Sequence, residues 1–431
     1  MAAHEISNKN QTRPETAYRF SEFEVYPAER LLKRQDAPVS LTPKSFDALV
    51  CLVRKAGRLV TKDELMQTLW PSTFVAEANL TNAMVSLRKA IGREAIRTVS
   101  KHGYRFELPV HGEPGVARDT YEIFSRAKEL TANRSLEGVM RARELYWLCI
   151  AKDPTFALAW AWLGRTCAIL AKFSNKNAES EMELAQAAFR RAFAIDPDLA
   201  CAHQFYTPVQ ADLGEALEAL ERLRRRLSGH PSEPESFAGL VQALRYCGLL
   251  DESIEAHRRA QDIDPTIVTS VPHTYFLKGD YKTTVERYGG RAAFYLDAAA
   301  WAALGDMERT RALLRQRLPA TGCSEMMSMA MTSLLAIAEE RFDDAVTLMD
   351  TRGHLPEPEM LFYLARHYAY IRRPDRAITA IREATASGFV CASYTLRCDP
   401  WLESVRANTS FLTLLNTAEQ LTARARRVWA S

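Results

Sequence analysis

A chain of 431 residues exceeds what one hydrophobic core ordinarily serves, and 47% hydrophobic with 25% charged residues excludes a disordered or low-complexity polymer. The formal net charge of +3 is small, but residues 1–110 hold 17 Lys and Arg against 12 Asp and Glu, so positive charge is concentrated N-terminally. Eight cysteines with no Cys-x-x-Cys pair and no histidine at zinc spacing argue against a disulfide framework, a structural metal or any cofactor.

Residues 1–17 read as a flexible N-terminus. Met1 to Phe20 has no apolar stretch flanked by basic residues, so no secretory leader is expected, and a cytoplasmic location follows. The longest weakly polar run, Met326 to Ala338, falls short of the roughly 20 apolar residues that span a bilayer. No membrane anchor is expected.

Residues 18–110 predict an α+β domain. Tyr18, Phe20, Phe23, Val25 and Tyr26, then Leu31 and Leu32, then Val39 and Leu41, form short strands broken by turns such as Gln35-Asp36. Thr42-Pro43 supplies an N-cap and a first-turn proline for a helix whose stripe is Phe46, Leu49, Val50, Leu52 and Val53, ending at Gly57. Thr61-Lys62-Asp63-Glu64 has the capping-box pattern for a second, short helix buried through Leu65, Met66, Leu69 and Trp70 and stopped by Pro71.

A third helix is expected from about Asn79 to Ile91, closed by Gly92. At 100° per residue, Leu80, Met84, Leu87 and Ile91 share one stripe, Asn82, Val85, Ser86 and Lys89 lie opposite, and Arg88 sits on the flank. Six basic residues and one acidic residue occupy Asn79–Arg105, a balance suited to a phosphate backbone, and Asn and Ser among them suit base edges. Ile96 to Phe106 then reads as two strands around a glycine-bearing turn, a hairpin wing with Lys101 and His102 at its tip. The candidate DNA-binding set is Asn79, Thr81, Asn82, Val85, Ser86, Arg88 and Lys89 on the helix, with Arg97, Thr98, Ser100, Lys101, His102, Tyr104 and Arg105 on the hairpin. No chemistry is assigned to His102.

Residues 18–108 resemble the OmpR/PhoB-type winged-helix family, in the one-component branch typified by HilA, CadC and ToxR. The matching residues are Leu41-Thr42, the run Gly57 to Leu65, Trp70, Asn79-Leu80-Thr81, the run Leu87 to Gly92, and Thr98-Val99 through Gly103-Tyr104-Arg105-Phe106. The resemblance implies that the third helix is the recognition helix and that Arg88, Thr98 and Tyr104 occupy positions touching the DNA backbone. It also implies that the loop Pro71 to Ala78 faces RNA polymerase. Ala83, Val85 and Ser86 are less basic than the family's groove-facing residues often are, so base preference is not carried over. No receiver domain with a phospho-accepting aspartate is visible, and phosphorelay control is not expected.

Residues 111–118 have linker composition, and 119–431 predict an all-α domain. Lys152-Asp153-Pro154, Ile195-Asp196-Pro197, Gly229-His230-Pro231 and Ile263-Asp264-Pro265 end helical segments at spacings of 43, 34 and 34 residues. A period of 34 with a helix-ending proline is the tetratricopeptide signature, and Ala142, Tyr146, Gly164, Ala185 and Phe189 fit its small and aromatic positions. The longer first spacing suggests an extra loop near Phe173 to Glu179. Val271 to Leu296 is least regular, while Leu304-Gly305-Asp306 and later segments take the pattern up again. The segment from Cys398 through Phe411 reads as a capping tail. Trp147, Trp160, Trp162 and Trp301 are expected in helix packing, Cys391 and Cys398 as ordinary thiols, and the concave face as a partner groove.

The expected function is a one-component transcriptional regulator that binds promoter DNA, as a homodimer or in several copies on repeated sites. Its repeat domain binds an effector or protein partner, or drives oligomerisation. The alternative is a repeat-based scaffold whose winged helix contacts protein. Phosphate-binding glycine loops, His-Glu-x-x-His, Gly-x-Ser-x-Gly and acidic metal clusters were not found in the sequence, so an enzyme is not expected.

Overall fold

The computed structural model describes residues 18–430 apart from 28, 36, 71–74, 76, 100–101, 109, 111–117, 133–134, 174–176, 289–294, 319–324 and 352–356. Ser100, Lys101, most of the 71–78 loop and nearly all of the expected linker lie outside the described residues. The chain divides into two compact units, one running to Ser125 and including Ala151–Phe156, the other holding the remainder.

The N-terminal unit opens with strands β1 (Tyr18–Phe20), β2 (Phe23–Tyr26), β3 (Leu31–Arg34) and β4 (Ala37–Val39), an antiparallel meander in chain order. Val25 pairs with Leu32, and Leu32 with Val39, so alternation brings Phe20, Val25 and Leu32 to the core face. Helix α1 (Pro43–Arg54) begins where Thr42 Oγ1 accepts the Ser45 amide at 3.2 Å, and it buries Phe46, Leu49, Leu52 and Val53.

A three-residue strand, β5 (Leu59–Thr61), follows, which the sequence pattern did not announce because so short a run has no measurable period. Helix α2 (Lys62–Leu69) is capped by Thr61 Oγ1 on the Glu64 amide. The Glu64 carboxylate turns to Lys55 instead of back to the cap, so one half of the expected capping box forms. Helix α3 (Glu77–Ile91) starts two residues earlier than expected and ends at Gly92, whose φ of 99° and amide bond to the Arg88 carbonyl close it. Strands β6 (Ile96–Val99) and β7 (Gly103–Phe106) complete a second sheet of order β5–β7–β6.

Among the described residues no strand follows β7. Helices α4 (Arg118–Ala132), α5 (Leu136–Lys152), α6 (Ala157–Phe173), α7 (Ala178–Ile195), α8 (Ala200–Asp212), α9 (Ala216–Gly229), α10 (Pro234–Tyr246) and α11 (Leu250–Ile263) come in turn. Each of α5, α7, α9 and α11 stops two residues before one of the periodic prolines. At three of these corners the aspartate preceding the proline turns the chain. Asp153, Asp196 and Asp264 each accept, through Oδ1, the amide two residues on, at 2.9, 3.0 and 2.9 Å.

The longer first spacing is taken up largely in helix: α6 and α7 have 17 and 18 residues where α10 and α11 have 13 and 14, and residues 174–176, within the expected extra loop, lie outside the described residues. Close approach of α6 to α7 depends on Gly164, where a Cβ would stand 2.8 Å from the Phe189 ring. The least regular stretch resolves into short helices α12 (Val271–Leu277) and α13 (Tyr281–Tyr288). Then follow α14 (Leu296–Ala303), α15 (Met307–Arg317), α16 (Glu325–Ala338), α17 (Phe342–Asp350), α18 (Pro358–Tyr370), α19 (Pro374–Ala386), α20 (Ser393–Cys398), a 3-10 turn at Pro400–Val405, and α21 (Thr409–Ala430).

The helical unit folds back on itself. Every residue of α18 from Pro358 to Ala369 is buried, as an apolar-sided helix at the centre of a fold must be. Its Glu359 takes a bidentate bond from Arg245 of α10 at 2.9 and 3.0 Å. Tyr363 stands edge-on to Phe276 and tilted against Tyr295, and His367 meets Tyr295 and Ser333, so α18 lies against α10, α12, the start of α14 and α16. The concave face expected as a partner groove is at this level covered by α18. Its C-terminal relative α21 packs on α9 and α19, closing more than a single terminal repeat.

Two tryptophans pack between helices as expected, Trp160 against the α6–α8 core and Trp162 between Tyr146 of α5 and Phe205 of α8. Trp160, Trp162 and Trp301 are half-buried at helix edges, and Trp147 is 39% exposed, edge-on to Trp160. Cationic side chains cover two of them: Arg165 stands over Trp162 at 4.9 Å and Arg309 over Trp301 at 3.9 Å. Cys391 is buried and Cys398 exposed, both as free thiols.

Candidate nucleic-acid interface

Helix α3 carries one buried and one bare face. Leu80, Ala83, Met84, Leu87 and Ile91 pack into the core of the N-terminal unit, while Asn79, Thr81, Asn82, Val85 and Lys89 are exposed and Ser86 is half-buried. The period-3.6 stripe of apolar residues dictates that division, because only one side of the helix can be removed from water by α1 and α2. Thr81 Oγ1 leans back to the Glu77 carbonyl at 3.4 Å. Lys62, at the start of α2, pairs with Glu77, and that hydrogen bond raises the lysine pKa. The acidic first residue of α3 is thereby neutralised inside the unit.

Arg88 joins the helix to the hairpin. Its Nε and Nη2 donate to the Ile96 carbonyl at 3.0 and 2.8 Å, Nη2 also reaches Thr98 Oγ1 at 2.7 Å, and the guanidinium lies over the Tyr104 ring at 5.8 Å. Three residues that the family resemblance made backbone contacts, Arg88, Thr98 and Tyr104, thus form one cluster. Tyr104 is buried beneath it. In this arrangement the arginine's donors are largely committed to the protein.

Register places the other hairpin arginines elsewhere. Thr98 pairs with Tyr104 and Arg97 with Arg105, so alternation sets Thr98 and Tyr104 on the face towards α3 and Arg97 and Arg105 on the reverse. Arg97 is exposed and directly opposite Arg105, a like-charge pairing that an anion relieves. The Arg105 Nε is buried without a hydrogen-bond partner. His102 is exposed at the turn, its amide bonded to the Val99 carbonyl at 3.0 Å. Ser100 and Lys101 lie outside the described residues.

Gly103 sets how closely β7 approaches β5. A Cβ there would stand 2.1 Å from the Val60 carbonyl oxygen, so no larger residue fits without displacing a strand. Sequence reading found the glycine but not its neighbour, because β5 was not foreseen. Among the described residues no group of His, Cys, Asp and Glu is arranged to hold a metal ion, and no helix is long and apolar enough to cross a membrane.

Three helices with an exposed third member, followed by a hairpin clasped to it, define a winged helix-turn-helix domain. Its particular type is the OmpR/PhoB-type domain of transcriptional regulators: residues 36–106 match the family model described as transcriptional regulatory protein, C terminal. Over 83 residues the chain is 34% identical to the transcriptional regulator HilA of Salmonella typhi, covering 18% of this chain and 15% of HilA. The solved DNA-binding domain of Escherichia coli CadC aligns at 27% identity over 23% of this chain and 97% of that one, with a TM-score of 0.22. A tetratricopeptide repeat protein from Parabacteroides merdae aligns at 11% identity over 71% of this chain and all of its own, with a TM-score of 0.27.

Proposed function

We propose that this chain is a one-component transcriptional regulator whose α3 enters the major groove of promoter DNA while the β6–β7 hairpin lies on the adjacent backbone or minor groove. The observation that carries the reading is the bare face of Thr81, Asn82, Val85 and Lys89, held beside the hairpin by Arg88. Asn82 has the amide that pairs bidentately with adenine, and Lys89 suits guanine or a phosphate. Arg97, Arg105 and His102, with Ser100 and Lys101, supply the hairpin's share of phosphate contact, while Arg88, Thr98 and Tyr104 act first on the hairpin's placement. The resemblance to HilA and CadC supports this reading.

In the same reading the chain binds as a homodimer or as several copies on repeated sites, and the 71–78 loop meets RNA polymerase. The helical unit binds a protein or small-molecule effector, or joins copies of the chain. With α18 filling the inner side of that unit, such a partner engages outward surfaces.

The test is titration of a labelled short random-sequence duplex with the full chain, followed by anisotropy across salt. Between about 50 and 200 mM salt, affinity should fall roughly 10³-fold or more if six to ten phosphates are neutralised. Asn82→Ala with Lys89→Ala should weaken binding without moving the melting temperature. No binding at the lowest salt would instead favour a scaffold that uses the winged helix for protein contacts.

A further inference from the structure

Val85 is the exception on the bare face of α3. It is 57% exposed, and among the described residues of the N-terminal unit no other large apolar side chain is exposed. The core of that unit draws on the opposite stripe, where Leu80, Met84 and Leu87 are within 1% of complete burial, so Val85 contributes nothing to it. A solvent-facing helical position is also a poor place for valine by local energetics. Its branched Cβ lowers helix propensity relative to Ala, Lys, Arg or Glu, and its methyls gain nothing from water.

The residues ringing it are polar: Thr81 and Asn82 one turn before, Lys89 one turn after. An apolar side chain so framed matches the one apolar group that the major groove displays, the C5-methyl of thymine. Cytosine lacks that methyl, and the minor groove hides it. Val85 and Asn82 stand three residues apart, roughly 4.5 Å along the helix axis, which is close to one base step of about 3.4 Å.

We propose that Val85 is a specificity-determining residue that selects thymine through its methyl group, at the base step beside the one addressed by Asn82. This rests on the DNA-binding reading above and names the sequence class that the site takes: elements with thymine next to the adenine read by Asn82.

Selection of duplexes by the full chain from a random-sequence pool comes first, with wild type and Val85→Ala compared. The wild-type motif should contain a fixed thymine whose enrichment Val85→Ala loses, while the other positions persist. In the selected duplex that thymine is then replaced by deoxyuridine, which removes the methyl and leaves base pairing intact. Wild type should bind the uracil duplex about fourfold more weakly, the ratio expected for one buried methyl, and Val85→Ala should bind both equally. Alanine is the better helix former, so loss of fold does not confuse the result. Failure to enrich any sequence overturns the DNA-binding reading itself. An enriched motif with no thymine-to-uracil penalty, or with the same penalty in Val85→Ala, overturns the role of Val85 alone.

Discussion

Two buried histidines and one half-buried one show how single side chains set the acid limit of the helical unit. His203 on α8 and His257 on α11 are each held down to about 4, and His367 on α18 to about 3, by burial first and by the neighbouring Arg222, Arg287 and Arg366 respectively. The hydrogen bonds agree with neutral rings: His203 takes Arg222 on Nδ1 at 2.9 Å and faces the Pro197 carbonyl with Nε2 at 2.8 Å. His367 lies between Tyr295 Oη at 2.7 Å and Ser333 Oγ at 2.9 Å. Depressed values mean that the unfolded chain binds protons the folded one refuses. The stabilisation is therefore whole above about pH 6.5 and drains away as pH falls toward 4. On unfolding near pH 5 each of these imidazoles should take up about one proton, and His367→Gln should reduce the total uptake measured from denaturant midpoints between pH 7 and 5 by about one. Asp212 and Glu357, whose burial raises their values, work in the opposite direction, so the comparison between wild type and variant isolates the imidazole. A pH dependence that is the same in wild type and His367→Gln would contradict the assignment.

At the scale of elements, the clasp between α3 and the β6–β7 hairpin separates two roles that a sequence comparison merges. Lys89 is exposed and Arg88 is engaged, although they are adjacent. Arg88→Ala removes charge-assisted bonds to the Ile96 carbonyl and to Thr98, worth about 1.5–3 kcal/mol, and should lower both the melting temperature and DNA affinity. Lys89→Ala should lower affinity alone. Calorimetry and anisotropy on the two variants check this, and an unchanged melting temperature for Arg88→Ala would return that residue to plain phosphate contact.

Much of this architecture was legible in the residues. Thr42-Pro43, Thr61, Gly92 and the Asp-Pro corners name helix ends by local chemistry that needs no tertiary context. The exposed face of α3 follows from its apolar stripe. What stayed hidden depends on distant partners: β5 exists because β7 pairs with it, and α6 and α7 run long because nothing in a proline spacing says whether extra residues wind or loop. The burial of Arg245, Glu359 and Arg366 was likewise unreadable, since charged residues on a repeat helix ordinarily face water. Each is explained only by a partner remote in sequence, Glu359 for Arg245 and Asp399 for Arg366.

For the molecule as a whole, the repeats are not a string of independent neighbours. Gly214 in the turn after α8 and Gly388 in the turn after α19 meet backbone to backbone, and a Cβ on Gly388 would stand 2.2 Å from the Gly214 Cα. Thr422 of α21 fits against Gly248, and Arg426 reaches Glu252 at 3.6 Å. In an open solenoid, loss of the last helix disturbs mainly the repeat beside it. Here deletion of residues 409–431 should strip hydrogen-exchange protection from α9 and α11, far upstream in the chain. Unaltered protection in those two helices would show that the contacts are incidental.

The inward seat of α18 has one more outcome. With Pro358 to Ala369 withdrawn from water, and Glu359 and Arg366 anchored to Arg245 and Asp399, this helix is a keystone of the unit. Whatever docks on the repeats must therefore read their rim and outer flanks, where sequence can vary without unseating the middle.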